Sequence, residues 1–286
     1  MRSIVIGADG VVGGALVRVL SSRGDLTYRT TRRPAASLDG CIRLDLASVD
    51  VDAITLPDVD IAFFCAAIAS FSECRSNFDL ARRVNVMGPV AIARRLAAAG
   101  TQVVLLSTSA VFDWSVPCVD AGREPCPITA YGRLKAEAEA EFTNLGELAT
   151  ILRLTKVLTP DNKLLNGWLE QLRRGRALSA YSDHHMAPVT LDDTIAGLLA
   201  ISDNSAAGLF QLSGARDISY FEAARHLAWI AGVRSDLVTA ARASDGGLPA
   251  EEIIRFSSLD TSRMEALTGW KAPDPCSVLN SLFPIG

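Results

Sequence analysis

The segment Ser3-Ile4-Val5-Ile6 runs directly into Gly7-Ala8-Asp9-Gly10-Val11-Val12-Gly13-Gly14, and a helical pattern follows, with Val12, Leu16, Val19 and Leu20 on one side and a stop near Gly24. A short apolar strand, a glycine turn and an amphipathic helix in that order constrain the fold strongly, because a helix leaving a strand this tightly packs back across its face. In Gly7-x-x-Gly10-x-x-Gly13 one glycine permits the tight turn, one lets a phosphate approach the backbone, and one lets helix and strand pack closely. The free amide N–H groups at the helix start, around Val11 and Val12, would meet a pyrophosphate at the positive end of the helix dipole.

The rest of the first half repeats the alternation. Strand patterns cover Leu26 to Thr31, Cys41 to Leu44, Gln102 to Ser107 and Ala149 to Leu154. Asp60 to Ala67 is a nearly continuous apolar run, as expected of a central parallel strand buried on both faces. Residues 76–99 read as one long amphipathic helix closing at Gly100, and a second helix runs from about Tyr131 to Leu145. The fold class is therefore α/β: a Rossmann-type doubly wound parallel sheet. The dinucleotide-binding domain spans 1–155, with about 190–212 returning to it and Leu209-Phe210-Gln211-Leu212 rejoining the sheet. Residues 156–189 and 213–286, richer in Pro and Gly turns, form a smaller C-terminal substrate lobe over the carboxyl edge of the sheet.

With 286 residues, 49% of them apolar, the chain can bury a sizeable core. Its net charge of −4 argues against nucleic acid as a partner, and the basic doublets are scattered along the chain. No apolar run reaches the roughly 18 residues of a membrane span, and the strand pattern leaves no room for a leader. The six cysteines form no Cys-x-x-Cys and share no ligand spacing with the three histidines, so neither a metal site nor a disulfide framework is expected. A cytoplasmic chain fits this usage.

Two stretches carry chemistry. Tyr131-Gly132-Arg133-Leu134-Lys135 places a phenol and an ammonium one helical turn apart on one face. A phenol ordinarily ionises near pH 10, and an adjacent ammonium brings it toward the range of acid–base work. Upstream, Ser107-Thr108-Ser109 ends a strand with three hydroxyls. At the end of the second strand, Thr30-Thr31-Arg32-Arg33 has no acid to hold a ribose 2′-hydroxyl, whereas a guanidinium suits a 2′-phosphate. NADP is therefore expected over NAD. Asp45, beside Leu46, is read either as an acceptor for the adenine amino group or as the cap of a turn.

Glycine turn, strand-end hydroxyls and Tyr-x-x-x-Lys together resemble the extended short-chain dehydrogenase/reductase family over roughly residues 2 to 212. Cys65-Ala66-Ala67 is similar to its apolar-Ala-Ala strand end beside the cofactor, Asn85 to the Asn of its next helix, and Leu152-Arg153-Leu154 to its sixth strand. Leu106-Ser107-Thr108-Ser109-Ala110-Val111-Phe112-Asp113 resembles the Ser-Thr-x-x-Val-Phe stretch of dTDP-4-dehydrorhamnose reductases. Asp9 departs from the family turn, and beyond about residue 155 the match is loose.

The resemblance implies NADPH-dependent reduction of a carbonyl, the 4-keto group of a nucleotide-linked sugar. Tyr131 would protonate the oxygen, Lys135 would lower the phenol's pKa and hold the nicotinamide ribose, and Thr108, or a neighbouring Ser107 or Ser109, would bond the same oxygen. It also implies cofactor contacts from Gly7, Gly10, Val11, Val12, Gly13, Arg32, Arg33, Asp45, Leu46, Cys65, Ala66, Ala67, Asn85 and Ser107, and pairing of two copies through helices. An epimerase with tightly bound NAD(P) is the alternative within the fold, and a non-catalytic dinucleotide sensor the alternative outside catalysis. Ser109 and Ala110 after Thr108, in place of an acidic pair, disfavour a dehydratase. Tyr181, Asp183, His184 and His185 read as a surface loop, and Asp192-Asp193 as the cap of a helix.

Overall fold

The computed structural model describes residues 1–33, 40–48, 50 and 53–284. In chain order the first elements are β1 (Arg2–Ile6), α1 (Val11–Ser22), β2 (Leu26–Thr31), β3 (Cys41–Arg43), β4 (Ile61–Phe64), α2 (Phe71–Ser76), α3 (Phe78–Arg82), a π-helical turn (Arg83–Met87), α4 (Gly88–Ala98), β5 (Gln102–Thr108), α5 (Ala130–Thr143) and β6 (Ala149–Leu154). There follow β7 (Lys156–Leu158), α6 (Lys163–Arg173), β8 (Leu178–Tyr181), β9 (His185–Met186), β10 (Pro188–Thr190), α7 (Leu191–Asp203), β11 (Gly208–Leu212), β12 (Ile218–Ser219), α8 (Tyr220–Ile230), β13 (Val238–Ala241), α9 (Ser262–Thr268) and α10 (Pro275–Leu282).

Seven strands form one parallel sheet in the order β11-β6-β5-β4-β1-β2-β3. β1 lies between β2 and β4, parallel to both, so the chain winds outward in one direction and then in the other from this point. In such a sheet the crevice for a ligand opens outside the carboxyl ends of the strands where the order reverses. The strand interiors are apolar on both faces, with Ile4, Ile6, Phe64 and Leu105 buried beside Leu134, Ala138 and Phe142 of α5. Phe64 and Phe142 meet edge to face, ring centroids 5.1 Å apart.

The chain divides into two compact units: residues 1–111, 125–153 and 195–210, and residues 112–124, 154–194 and 211–286. The segment 112–124 thus groups with the second unit instead of the first. That unit has its own core, with Leu158, Leu165, Leu169 and Leu172 against Ala224, Leu227, Val278 and Leu279. Small sheets pair β7 with β10, β9 with β12 and β8 with β13.

Several expectations need correcting. The single helix over 76–99 is broken. Ser70 caps a helix that begins earlier, its hydroxyl accepting from Glu73 N–H at 3.3 Å, and Asn77 ends that helix with φ −129° and ψ 52°. The next helix then loosens into the π turn that carries Asn85. At the start of α7 the N-cap residue is Thr190, and Asp193 completes the cap: the Thr190 hydroxyl accepts from Asp193 N–H at 2.9 Å while the Asp193 carboxylate accepts from Thr190 N–H at 3.1 Å, a reciprocal capping box. Trp229 on α8 is 57% exposed. No described helix is long and apolar enough to cross a membrane.

Candidate active site

The glycine turn is held by contacts that only glycine allows. Gly7 has φ +94°, and a Cβ there would lie 2.5 Å from Ala66 N; one on Gly13 would lie 2.3 Å from Gly7 O. Gly10 has only Gly7 O, at 3.4 Å, in the way of a Cβ, so at this point the backbone is open to close approach. Thr30 fastens the turn from the neighbouring strand by accepting from Gly7 N–H at 3.0 Å. Sequence reasoning missed this residue; the signal was a hydroxyl at a buried position of β2.

A cleft of about 630 Å³ opens there, lined by Gly7, Asp9, Gly10, Arg32, Arg33, Asp45, Leu46, Cys65, Ala66 and Ala67, with Ile6, Thr30, Thr31, Leu44, Ile68 and Val84 beside them. That volume is in the range of cofactor clefts. It sits where the strand order reverses, at the start of α1. Asp9 turns its carboxylate to Thr31, whose hydroxyl donates at 2.7 Å. Asp45 caps its own turn, accepting from Ala47 N–H at 3.0 Å, which realises the turn-cap reading while leaving the residue on the cleft wall.

Of the remaining candidates, Val11, Val12 and Gly13 belong to the first turn of α1, and Val11's side chain is exposed. Asn85 does not line the cleft. Its amide clamps Ile68, accepting from Ile68 N–H at 2.8 Å and donating to Ile68 O at 2.9 Å, and so shapes the wall from behind. Ser107 is buried, and its hydroxyl has no partner among the described residues. An unmatched buried hydroxyl and a glycine cradle are both features that a bound dinucleotide would satisfy.

Tyr131 and Lys135 lie on α5, one turn apart. Thr129 caps this helix, accepting from Gly132 N–H at 3.0 Å. Gly132 is the second residue that sequence reasoning missed, since a Cβ there would come within 2.0 Å of Ala110 O. Its absence lets α5 lie directly on the Ser109–Val111 turn that follows β5.

This contact brings the Thr108 hydroxyl to the Tyr131 phenol as a hydrogen-bond donor. Phe71 covers the phenol ring, centroids 5.8 Å apart. Lys135 is 2% exposed, donates to Leu106 O at 2.6 Å and lies in the field of Cys65 on the cleft wall. Tyr131, Lys135 and Thr108 are therefore together; Ser109 is buried in the turn below them.

The electrostatics differ from expectation in one respect. Burial raises the phenol's pKa above its ordinary value, with the Cys74 thiol adding to the rise and the Thr108 hydrogen bond opposing it. The expected lowering by Lys135 is not among the causes, because the ammonium points to Leu106 O and Cys65. Burial lowers Lys135 to about 8, against the pull of Glu139 one turn further along α5. Glu139 itself is locked to Arg153 of β6 at 2.7 Å, both side chains almost wholly buried.

A model of the RmlD substrate binding domain family matches residues 1–282. The chain belongs to this family. It shares 30% identity with a dTDP-4-dehydrorhamnose reductase of Sinorhizobium fredii, over 79% of this chain and 77% of that one. It is 26% identical to a probable low-salt glycan biosynthesis reductase of Haloferax volcanii, over 99% of this chain and 98% of that one. Among solved structures, the dTDP-4-dehydrorhamnose reductase of Bacillus anthracis in complex with NADP superposes with a TM-score of 0.83 at 21% identity, covering 99% of this chain and 97% of that one. The relatives include the dTDP-4-dehydrorhamnose reductases that the sequence resemblance pointed to.

Proposed function

We propose that this protein is an NADPH-dependent reductase of a nucleotide-linked sugar, acting on a keto group, most simply the 4-keto group. The observation that carries the reading is the cluster at the end of β5: a half-buried phenol bonded to Thr108, with a buried ammonium one turn away and reaching the wall of a dinucleotide-sized cleft. Family membership and the reductase names of the relatives support it.

In this reading Gly7, Gly10, Gly13 and the first amides of α1 hold the pyrophosphate, and Arg32 and Arg33 face the 2′-phosphate. Cys65, Ala66 and Ala67 would supply the apolar wall of the same cleft. A nicotinamide dinucleotide, when bound, supplies the hydride for the carbonyl carbon. With substrate bound, Thr108 would turn its one hydroxyl proton from the Tyr131 oxygen to the carbonyl oxygen, to which Tyr131 also donates. The raised pKa of Tyr131 keeps the phenol protonated, the form needed in the reducing direction, and its proton passes to the oxygen as charge develops there. Lys135, fixed at Leu106 O, keeps two N–H bonds for the ribose hydroxyls.

Incubation with a panel of keto-sugar nucleotides, following NADPH and NADH, tests the reading. One cofactor consumed per sugar reduced is expected. Interconversion of sugars without net consumption would replace reductase by epimerase, and binding without any turnover would favour a sensor.

A further inference from the structure

The end of β2, Thr30-Thr31-Arg32-Arg33, offers no acid where a dinucleotide fold that selects a ribose 2′-hydroxyl places one. A carboxylate nevertheless reaches that strand end, from the glycine turn. Asp9 Oδ2 accepts from the Thr31 hydroxyl at 2.7 Å, and the Thr31 oxygen in turn accepts from Arg33 N–H at 3.1 Å. A hydroxyl has one proton to give, so the two bonds run in one direction, from Arg33 N–H through Thr31 to Asp9. They couple the glycine turn to the segment that carries both arginines.

The turn itself does not need this carboxylate. Gly10 N–H donates to Gly7 O at 3.1 Å and Thr30 holds Gly7 N–H, so other groups close and fasten the turn. Nor is the carboxylate neutralised: Asp9 forms no ion pair with a described residue, and its Oδ1 bonds to none. Arg32 and Arg33 likewise have no ion pair among the described residues. All three residues are exposed and line the same cleft.

One end of the cleft thus presents an open acceptor and two open cations. A ribose 2′-hydroxyl has a proton to donate, and a carboxylate takes it in a charge-assisted bond about twice as strong as a neutral one. A 2′-phosphate is an anion of acceptor oxygens, drawn to guanidinium groups and repelled by a carboxylate. Two cations outweigh one anion, so the phosphate is still admitted, at a smaller margin than the arginines alone would give.

Resting on the reading of this cleft as the cofactor site of a reductase, we propose that Asp9, positioned by Thr31, accepts the ribose 2′-hydroxyl of a non-phosphorylated dinucleotide, so that the protein takes NADH as well as NADPH. Arg32 and Arg33 serve the phosphorylated cofactor and Asp9 the other. Cofactor choice is divided between two segments of the chain that the Thr31 hydroxyl joins.

The full-length protein, without sugar, is titrated with NADPH and with NADH, following the fluorescence of the reduced nicotinamide. Wild type should bind both, with dissociation constants within about tenfold of each other. Asp9→Asn keeps a carbonyl for the Thr31 hydroxyl but turns an N–H toward the ribose. It should weaken NADH and tighten NADPH, moving the ratio of the two constants about tenfold or more. Thr31→Val should weaken NADH in the same direction, and Thr31→Ser should restore it. The pair 5′-AMP and 2′,5′-ADP, which carry no nicotinamide, should reproduce the Asp9→Asn change in calorimetry.

An Asp9→Asn ratio within twofold of wild type, or a wild type that binds NADPH and not NADH, would overturn the assignment. These readouts need no turnover. The ratio shift in a protein that reduces no keto sugar would overturn the reductase reading alone. Turnover with NADPH at a cofactor ratio indifferent to Asp9→Asn would overturn the role of Asp9 alone.

Discussion

Replacing Gly132 by Ala puts one methyl group against the hinge of the candidate site. The new Cβ would lie 2.0 Å from Ala110 O and 3.0 Å from both Ala110 C and Pro127 Cβ. Real contacts of this kind stay above 3.0 Å, so α5 or the Ser109–Val111 turn has to yield by about 1 Å. In an open helix the same change stabilises by about 1 kcal/mol through helix propensity. Overpacking of this kind costs roughly 1–3 kcal/mol, so a net loss of about 1–2 kcal/mol is expected. Tyr131 is the preceding residue, and a shift of its helix by an ångström changes its seat on Thr108; geometry lost on that scale costs on the order of 100-fold in turnover. Urea unfolding gives the first number and cofactor oxidation the second. Gly167→Ala in α6, where nothing lies within 4 Å of the added Cβ, is the control and should instead gain up to about 1 kcal/mol. A Gly132→Ala protein as stable as Gly167→Ala, with turnover within threefold of wild type, would refute the reasoning.

Glu139→Gln leaves the buried Arg153 facing an uncharged group, and a loss of about 3 kcal/mol in urea unfolding is expected. The same variant removes an opposing charge from Lys135, so the alkaline fall in activity should begin at lower pH than in wild type, where Lys135 discharges near 8. Arg32→Ala and Arg33→Ala should each raise KM for NADPH about tenfold, with little effect on NADH, while Asp9→Asn should move the preference further toward NADPH; unchanged cofactor ratios would contradict the assignment. His184 titrates near 4 in the folded chain, held down first by burial and then by His185, against about 6.5 unfolded. Between these values the unfolded chain binds more protons, so stability falls as pH drops from 6.5 to 4, by about 2 kcal/mol after allowance for solvent. His184→Phe should flatten that slope in pH-dependent urea titrations.

Most of the first unit was legible because its order is local. Each parallel strand shows as an apolar run, and each helix follows within a few residues, so β1, β2, β6 and α1 lie within a residue or two of their sequence reading. The helix over 76–99 was misread because two local choices oppose its periodicity: Ser70 with Glu73 offers an earlier cap, and Asn85 is needed at Ile68, which a π turn allows. Tyr131, Lys135 and Thr108 were found by type and spacing. Gly132 and Thr30 were not, because their roles depend on backbone atoms distant in sequence: Ala110 O for one and Gly7 N–H for the other. The direction of the Tyr131 shift was missed for a related reason, since spacing reveals a neighbouring charge but not the burial that outweighs it. In the second unit, Tyr220 on His184 and Trp270 Nε1–H on Asp193 join residues 36 and 77 apart in the chain, which no periodicity reports.

The central claim is that the Tyr131 hydroxyl delivers a proton to a sugar carbonyl oxygen. Steady-state NADPH oxidation with a keto-sugar nucleotide, comparing wild type with Tyr131→Phe, tests it directly. The variant should lose at least 100-fold in kcat with little change in NADPH binding, since only the hydroxyl is removed. Turnover by Tyr131→Phe within a few-fold of wild type would contradict the account.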